Sequence, residues 1–243
     1  MKILPNIEII DLALKIGDSL IITDTHIGYE EAINKQGILI PRFQFNEIIE
    51  RLRNIFKASG EINRFVINGD VKHEFGTISQ TEWRHTLALL EFIEGYCKEI
   101  VIVRGNHDTI IGPIAKKMNV RILEHLIIHH KKQRVLILHG DKMPKKLPKS
   151  DVIIIGHQHP AISLRDGVKT EIYKCFLRGK YKNAKLIVLP SFCLVTEGTD
   201  ILKGEILTDF LRQPLKNFNV YIVADKVYNF GRLLNLSFCG IYS

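Results

Sequence analysis

EIVIVRGNHD, residues 99–108, decides the fold. Ile and Val alternate through a short apolar run, the composition of a buried strand. The run then stops at Arg104-Gly105 and gives way to Asn106, His107 and Asp108, three groups able to ligate or titrate. Four other stretches repeat this arrangement. LIIT (20–23) precedes Asp24-Thr25-His26, and RFVIN (64–68) precedes Gly69-Asp70 with His73 close behind. RVLIL (134–138) runs into His139-Gly140, and DVIII (151–155) runs into Gly156-His157-Gln158-His159. In open α/β sheets the crevice beyond the carboxyl ends of the strands is where ligands bind. Five polar clusters at five such ends are therefore expected to converge.

The intervening sequence supplies helices in the first half. Residues 44–58 carry Ile48, Ile49, Leu52, Ile55 and Phe56 at helical spacing, with Gly60 just past the end. Ser79 and Glu82 form a capping-box signature ahead of a helix bearing Trp83, Leu87, Leu90, Phe92 and Ile93. Pro113 suits the first turn of a short helix ending near Met118. Residues 12–23 read as two strands joined at Gly17-Asp18, and Asp24 to Pro41 reads as a loop. From about residue 120 apolar runs follow one another quickly. Beyond residue 170 the segments EIYKCFL, AKLIVLP, KGEILTDFL and NVYIVAD all read as strands. The expected architecture is α/β: two packed mixed β-sheets flanked by helices, in a single domain spanning 1–243.

Asp, His and Asn without cysteine offer oxygen and imidazole ligands to borderline or hard divalent ions, and argue against a cysteine-based structural zinc site. Asp24, His26, Asp70, Asn106, His139, His157 and His159 are seven candidates, too many for one tetrahedral ion and about right for two. Asp70 lies in the middle of the set and is placed to bridge. The neighbouring glycines Gly69, Gly105, Gly140 and Gly156 suit sharp turns that bring backbone near the ions. His85, His125, His129 and His130 lie outside the motifs and read as structural or surface residues.

The ordered series D-x-H, G-D-x-x-H, G-N-H-D, H-G, G-H-x-H over residues 24–159 resembles the calcineurin-like metallophosphoesterase superfamily. T-D-T-H-I-G-Y-E-E, then G-I-x-I-P and L-P-S-F, resemble its archaeal branch related to SbcD nuclease subunits, and are similar to the phosphoesterases associated with bacterial DNA ligases. The resemblance implies a calcineurin-like sandwich holding two divalent ions, manganese before iron, nickel or zinc. Asp24, His26 and His159 would hold one ion, and Asn106, His139 and His157 the other. Asp70 would bridge them, and water activated between the ions would attack the phosphorus. By the same resemblance His107 faces the substrate as proton donor, Asp108 orients its ring, and His73 helps place the scissile phosphate. Two departures stand out. SbcD-type subunits continue into a DNA-capping domain and an ATPase-binding segment beyond the length of this chain. Lys72 also stands where those nucleases often carry an aromatic residue.

Composition limits the remaining choices. The 243 residues are 46% hydrophobic and 25% charged, enough apolar surface for a sizeable core. No apolar stretch approaches the roughly 20 residues needed to span a bilayer, and Glu8 and Asp11 interrupt the N-terminal run, which reads as strand rather than secretory signal. Cys97, Cys175, Cys193 and Cys239 form no C-x-x-C pair and read as reduced thiols of a cytoplasmic protein. The net charge of +8 favours an anionic partner. The expected partner is a nucleic-acid or nucleotide substrate and not a membrane, and a homo-oligomer is compatible with this reading. The leading expectation is phosphodiester hydrolysis. A phosphomonoesterase would use the same ligands. A non-catalytic scaffold is expected to have lost ligands or His107, and here they are present. Lys142, Lys145, Lys146 and Lys149 read as a solvated loop, Trp83 as core, and Arg104 as a phosphate contact or an ion-pair partner.

Overall fold

The computed structural model describes residues 1–238. Strands β1 (Lys2–Leu4), β2 (Ile7–Ile10), β3 (Ala13–Ile16) and β4 (Ser19–Ile22) form an antiparallel meander. β4 then pairs in parallel with β5 (Arg64–Asn68), β5 with β6 (Glu99–Val103), and β6 with β7 (Arg121–Leu123), completing a seven-stranded sheet. Parallel neighbours need crossovers, which are helical here. α1 (Tyr29–Lys35) and α2 (Gln44–Ser59) lead into β5, α3 (Gln80–Glu94) into β6, and α4 (Gly112–Lys117) into β7. α2 buries Ile48, Leu52, Ile55 and Phe56, and α3 buries Leu87, Leu89, Leu90 and Ile93, the stripes anticipated from spacing. α3 opens with a complete capping box between Ser79 and Glu82.

The second sheet has nine strands. β8 (Leu126–His130) and β9 (Gln133–Ile137) form a hairpin, and β9 pairs in parallel with β10 (Val152–Ile155). β11 (Pro160–Asp166), β12 (Lys169–Tyr181) and β13 (Ala184–Val188) follow, with β13 returning parallel to β10. β14 (Thr199–Asp200), β15 (Asn219–Val223) and β16 (Val227–Arg232) complete it, and α5 (Leu233–Phe238) follows. Val135, Ile137, Val152, Ile154, Phe176 and Ile187 face inward and pack with the first sheet. Alternate residues Leu136, Ile153, Ile155, Leu177, Leu186 and Val188 face outward. Both faces of β10 are thus buried, which explains its unbroken Val-Ile-Ile-Ile run.

Two segments differ from the sequence-based expectation. KGEILTDFL (203–211) is no strand; 3₁₀ turns occupy Ile201–Lys203 and Asp209–Leu211. Gly204 takes a left-handed turn after the first, and Thr208 accepts the Phe210 N–H to start the second. The apolar side chains here plug the outer face of the second sheet. Ile201, Phe210 and Leu211 are buried there, and Phe210 alone contributes roughly 1.5–3 kcal/mol. The stretch 24–41, read as loop, contains α1. Its sequence YEEAINK lacks an apolar stripe and buries only Glu30 and Ala32, so periodicity is silent. Cys97, Cys175 and Cys193 are free thiols, while Cys239 lies outside the described residues. Among the described residues, no helix is long and apolar enough to cross a membrane.

Candidate metal centre

The carboxyl ends of β4, β5 and β6 lie side by side in the first sheet, and those of β9 and β10 in the second. The backbone joins them directly. Asp24 N–H donates to the Gly69 carbonyl at 3.0 Å, His26 N–H to the Asp70 carbonyl at 3.0 Å, and Gly156 N–H to the His139 carbonyl at 2.8 Å. Asn68 crosses between sheets, its Nδ2 donating to the Leu138 carbonyl at 3.0 Å. Three groups of possible ligand atoms result, Asp24–His26–His159, Asp70–His139–His157 and His26–His73–His107, each with all atoms within 4.8 Å of one another. The first two draw six of the seven expected ligands together, and the third adds His73 and His107 beside His26.

The turns that present these groups are strained at the candidate ligands themselves. Asp24, His26, Asp70, His157 and His159 have φ of 54°, 44°, 52°, 62° and 48°. Each such left-handed residue costs about 1–3 kcal/mol, and such outliers persist where surrounding structure over-determines them. The glycines were expected to suit sharp turns, and Gly69 and Gly140 take positive φ of 85° and 105°; Gly69 and Gly105 also make room for neighbouring groups. A Cβ on Gly105 would stand 2.2 Å from Asp70 Oδ1, and one on Gly69 would stand 2.2 Å from His139 Nδ1.

Asp24 is fully buried. Its Oδ2 accepts from Thr23 Oγ1 at 2.7 Å and from His157 N–H at 3.0 Å, while Oδ1 has no hydrogen-bond partner among the described residues. Oδ1 faces His159 Nε2 at 3.2 Å and His139 Nε2 at 3.8 Å. Asp70 Oδ1 accepts the His107 N–H at 2.9 Å, and Oδ2 lies 3.2 Å from His139 Nε2 and 3.9 Å from His26 Nε2. His139 Nδ1 donates to the Asn68 carbonyl at 2.9 Å, which turns Nε2 toward both carboxylates. That backbone partner is the usual device for fixing a ligating imidazole. His26 Nε2 and His159 Nε2 face each other at 3.4 Å.

Charge in the centre asks for cations. Burial opposes ionisation of Asp24, yet His159 and His139 hold its pKa below the usual carboxylate range. Burial also disfavours protonated His139, but Asp24 and Asp70 outweigh it and push that imidazole up to about 10. His26 is driven down to about 3 by burial and by His159. Asp24 Oδ1, Asn106 Oδ1 and His139 Nε2 are buried without hydrogen-bond partners among the described residues. Buried polar atoms without partners are rare in native proteins. Oxygen and imidazole donors aimed at a common space suit a pair of divalent ions. The residues therefore fit the metals that the motif series implies.

The residues expected to act on the substrate are arranged differently from the expectation. Asp108, expected to orient the His107 ring, accepts three backbone N–H groups: Asp70 at 2.8 Å, Val71 at 2.9 Å and Gly105 at 3.0 Å. It ties the β5 turn to the β6 turn, and burial together with Asp70 pushes its pKa up to about 6. The His107 ring is held instead by its Nδ1–H, which donates to the His73 carbonyl. Its Nε2 consequently faces the site, 3.9 Å from Asp70 Oδ2. His73 stacks on Tyr29 at 4.1 Å and is lowered to about 4 by burial and by His107. Arg104 pairs with Glu124 at 3.2 Å, and Trp83 packs on the core.

Several contributors escaped sequence reasoning. Thr23 and Asn68 orient Asp24 and His139, and nothing in their spacing announces it. Glu82 was legible only as a cap, but its carboxylate also accepts the N–H groups of His73 and Glu74 at 3.1 and 2.8 Å. Lys72 is buried, and its ammonium donates to the Glu74 carbonyl.

The fold is similar to nuclease MPE from Pseudomonas putida at 19% identity, covering 90% of this chain and 92% of that one, with a TM-score of 0.61. YfcE, a phosphoesterase from E. coli, is similar at 15% identity over 88% of this chain and 97% of that one, with a TM-score of 0.46. No curated protein matches the chain. A family model described as calcineurin-like phosphoesterase matches residues 19–188, a span that contains every expected metal ligand. The chain belongs to the calcineurin-like phosphoesterase family.

Proposed function

We propose that the protein hydrolyses phosphodiester bonds of nucleic acid or nucleotides, with manganese the first metal to test. The observation that carries this reading is the pair of rings, His73 and His107, set against the expected ligand His26. His26, His73 and His107 lie within 4.9–5.5 Å of one another by ring centroid, with Tyr29 stacked behind His73. A pair of aromatic rings suits the single charge of a diester better than the double charge of a monoester, which calls for added cations. Net charge of +8 and a fold shared with a chain described as a nuclease fit the same reading. Buried, free Cys175 and Cys193 fit a cytoplasmic setting.

Asp24, His26 and His159 would hold one ion, Asn106, His139 and His157 the other, and Asp70 both. Bound there, divalent ions supply Lewis-acid activation of the phosphoryl group and of attacking water. The chain's own residues do the rest. Asp108 and the Asn68 carbonyl keep the ligand turns in place. His107, with Nδ1–H committed to the His73 carbonyl, presents Nε2 to donate a proton to the leaving oxygen. His73, held neutral near pH 7, positions the phosphate by hydrogen bonding rather than by charge.

The test is turnover of bis-p-nitrophenyl phosphate, single-stranded DNA and cyclic nucleotides by purified protein with Mn²⁺, beside p-nitrophenyl phosphate. His107→Ala is expected to lower kcat by about 10²–10⁴ with metal content retained. Absence of metal-dependent turnover of every diester, with the monoester cleaved, replaces this reading by a phosphomonoesterase.

A further inference from the structure

We propose that Phe75 is a stacking platform for an unpaired nucleobase carried on the leaving oxygen, which makes the site selective for single-stranded over duplex nucleic acid; this rests on the phosphodiesterase reading above. Phe75 is 59% exposed, unusual for a phenyl ring beside a buried site. Its ring centroid lies 3.6 Å from that of His107, with the planes tilted by 34°. It therefore covers part of the imidazole and leaves more than half of its own surface open.

The exposure is built. The N–H groups of His73 and Glu74 both donate to buried Glu82, the Lys72 ammonium donates to the Glu74 carbonyl, and Thr77 N–H donates to the Phe75 carbonyl at 2.8 Å. A fully buried carboxylate and a fully buried ammonium are thus used to hold the short backbone segment that presents one apolar ring to solvent.

Position then identifies the occupant. His107 Nε2 faces the metal centre, 3.9 Å from Asp70 Oδ2, and a phosphate served by His107 lies against that same edge of the ring. If His107 serves the leaving oxygen, the group on that oxygen extends along the imidazole, and Phe75 is the ring it meets next. Every nucleobase has a face that stacks on an aromatic side chain, with little dependence on sequence. In a duplex that face is covered by the neighbouring base pairs; in a single strand it is free. A sugar–phosphate backbone without a base would reach the metal ligands equally well but leave Phe75 uncovered.

The experiment uses a single-stranded oligothymidylate, the same strand with one abasic residue moved along it, and the matching duplex, all with Mn²⁺. Wild type is compared with Phe75→Ala and Phe75→Trp. Phe75→Ala is expected to lower kcat/KM for the intact strand by about tenfold, the loss of one aromatic–base stack. Deleting the base on the leaving side should cost wild type a similar factor and cost Phe75→Ala nothing further, while Phe75→Trp restores the wild-type pattern. Fluorescence anisotropy of the labelled strand with metal-free protein should weaken on Phe75→Ala alone. Equal losses on intact and abasic strands would mean that Phe75 only shields His107 from water, and would overturn the proposal. Duplex cleaved as fast as single strand would overturn it too, with the phosphodiesterase reading intact. If wild type turns over only p-nitrophenyl phosphate, the phosphodiesterase reading falls and takes this proposal with it.

Discussion

Asp108→Asn separates two accounts of the carboxylate that follows His107. In the structure it accepts three backbone N–H groups, from Asp70, Val71 and Gly105. Hydrogen bonds to a charged acceptor contribute about 1.5–3 kcal/mol each, so three amount to roughly 4–9 kcal/mol. Burial first, and Asp70 second, raise the carboxyl from 3.8 to about 6, so keeping it ionised at pH 7 costs about 3 kcal/mol. The asparagine keeps one acceptor but turns an N–H against at least one backbone donor. A net destabilisation of about 3 kcal/mol is expected, lowering Tm by roughly 6–12 °C for a chain of this size. The β5 and β6 turns that loosen carry Asp70 and Asn106, so Mn²⁺ affinity should fall about 10–100-fold, as when a ligand's supporting partner is removed. The assays are differential scanning fluorimetry of metal-free protein and calorimetric Mn²⁺ titration. An Asp108→Asn protein with wild-type Tm and Mn²⁺ affinity, but with kcat reduced and its pH profile displaced, would refute this reasoning and return Asp108 to the role of orienting the His107 ring.

Gly105→Ala should abolish metal loading, because the new Cβ would lie 2.2 Å from Asp70 Oδ1 and 2.5 Å from Asp70 N; elemental analysis showing full metal content would sink this. Lys174 is partly buried, donates to Ser191 Oγ at 2.7 Å, and is lowered by desolvation to about 8. Between pH 8 and its unfolded value of 10.5 the unfolded chain keeps a proton that the native one has shed, so stability rises with pH across that window. Wild type should therefore gain roughly 2–3 kcal/mol on Lys174→Met between pH 7.5 and pH 10, read by urea denaturation at each pH; a pH-independent gap between the two proteins would contradict it.

The sequence by itself determined the strands that end in polar clusters, and with them which Asp and His residues converge as candidate ligands. A buried strand needs a continuous apolar run, and a divalent ion needs Asp, His or Asn, so both are written in residue type and order, as in RFVIN followed by Gly69-Asp70. Local rules failed where burial, rather than spacing, selects the conformation. α1 is helical without an apolar stripe, and residues 203–211 carry strand-like composition yet fold as turns because their side chains plug a sheet face built elsewhere in the chain. Which partner each polar group takes was likewise decided only in three dimensions. Asp108 is adjacent to His107 in sequence, but its carboxylate meets N–H groups from 37 and 38 residues away, while the imidazole finds the carbonyl of His73. Adjacent side chains on a turn diverge, and a buried carboxylate is satisfied by whatever donors the fold brings to it. The placement of Phe75 over His107 belongs to the same class: no periodicity marks it, and only the closure of two turns brings the rings together.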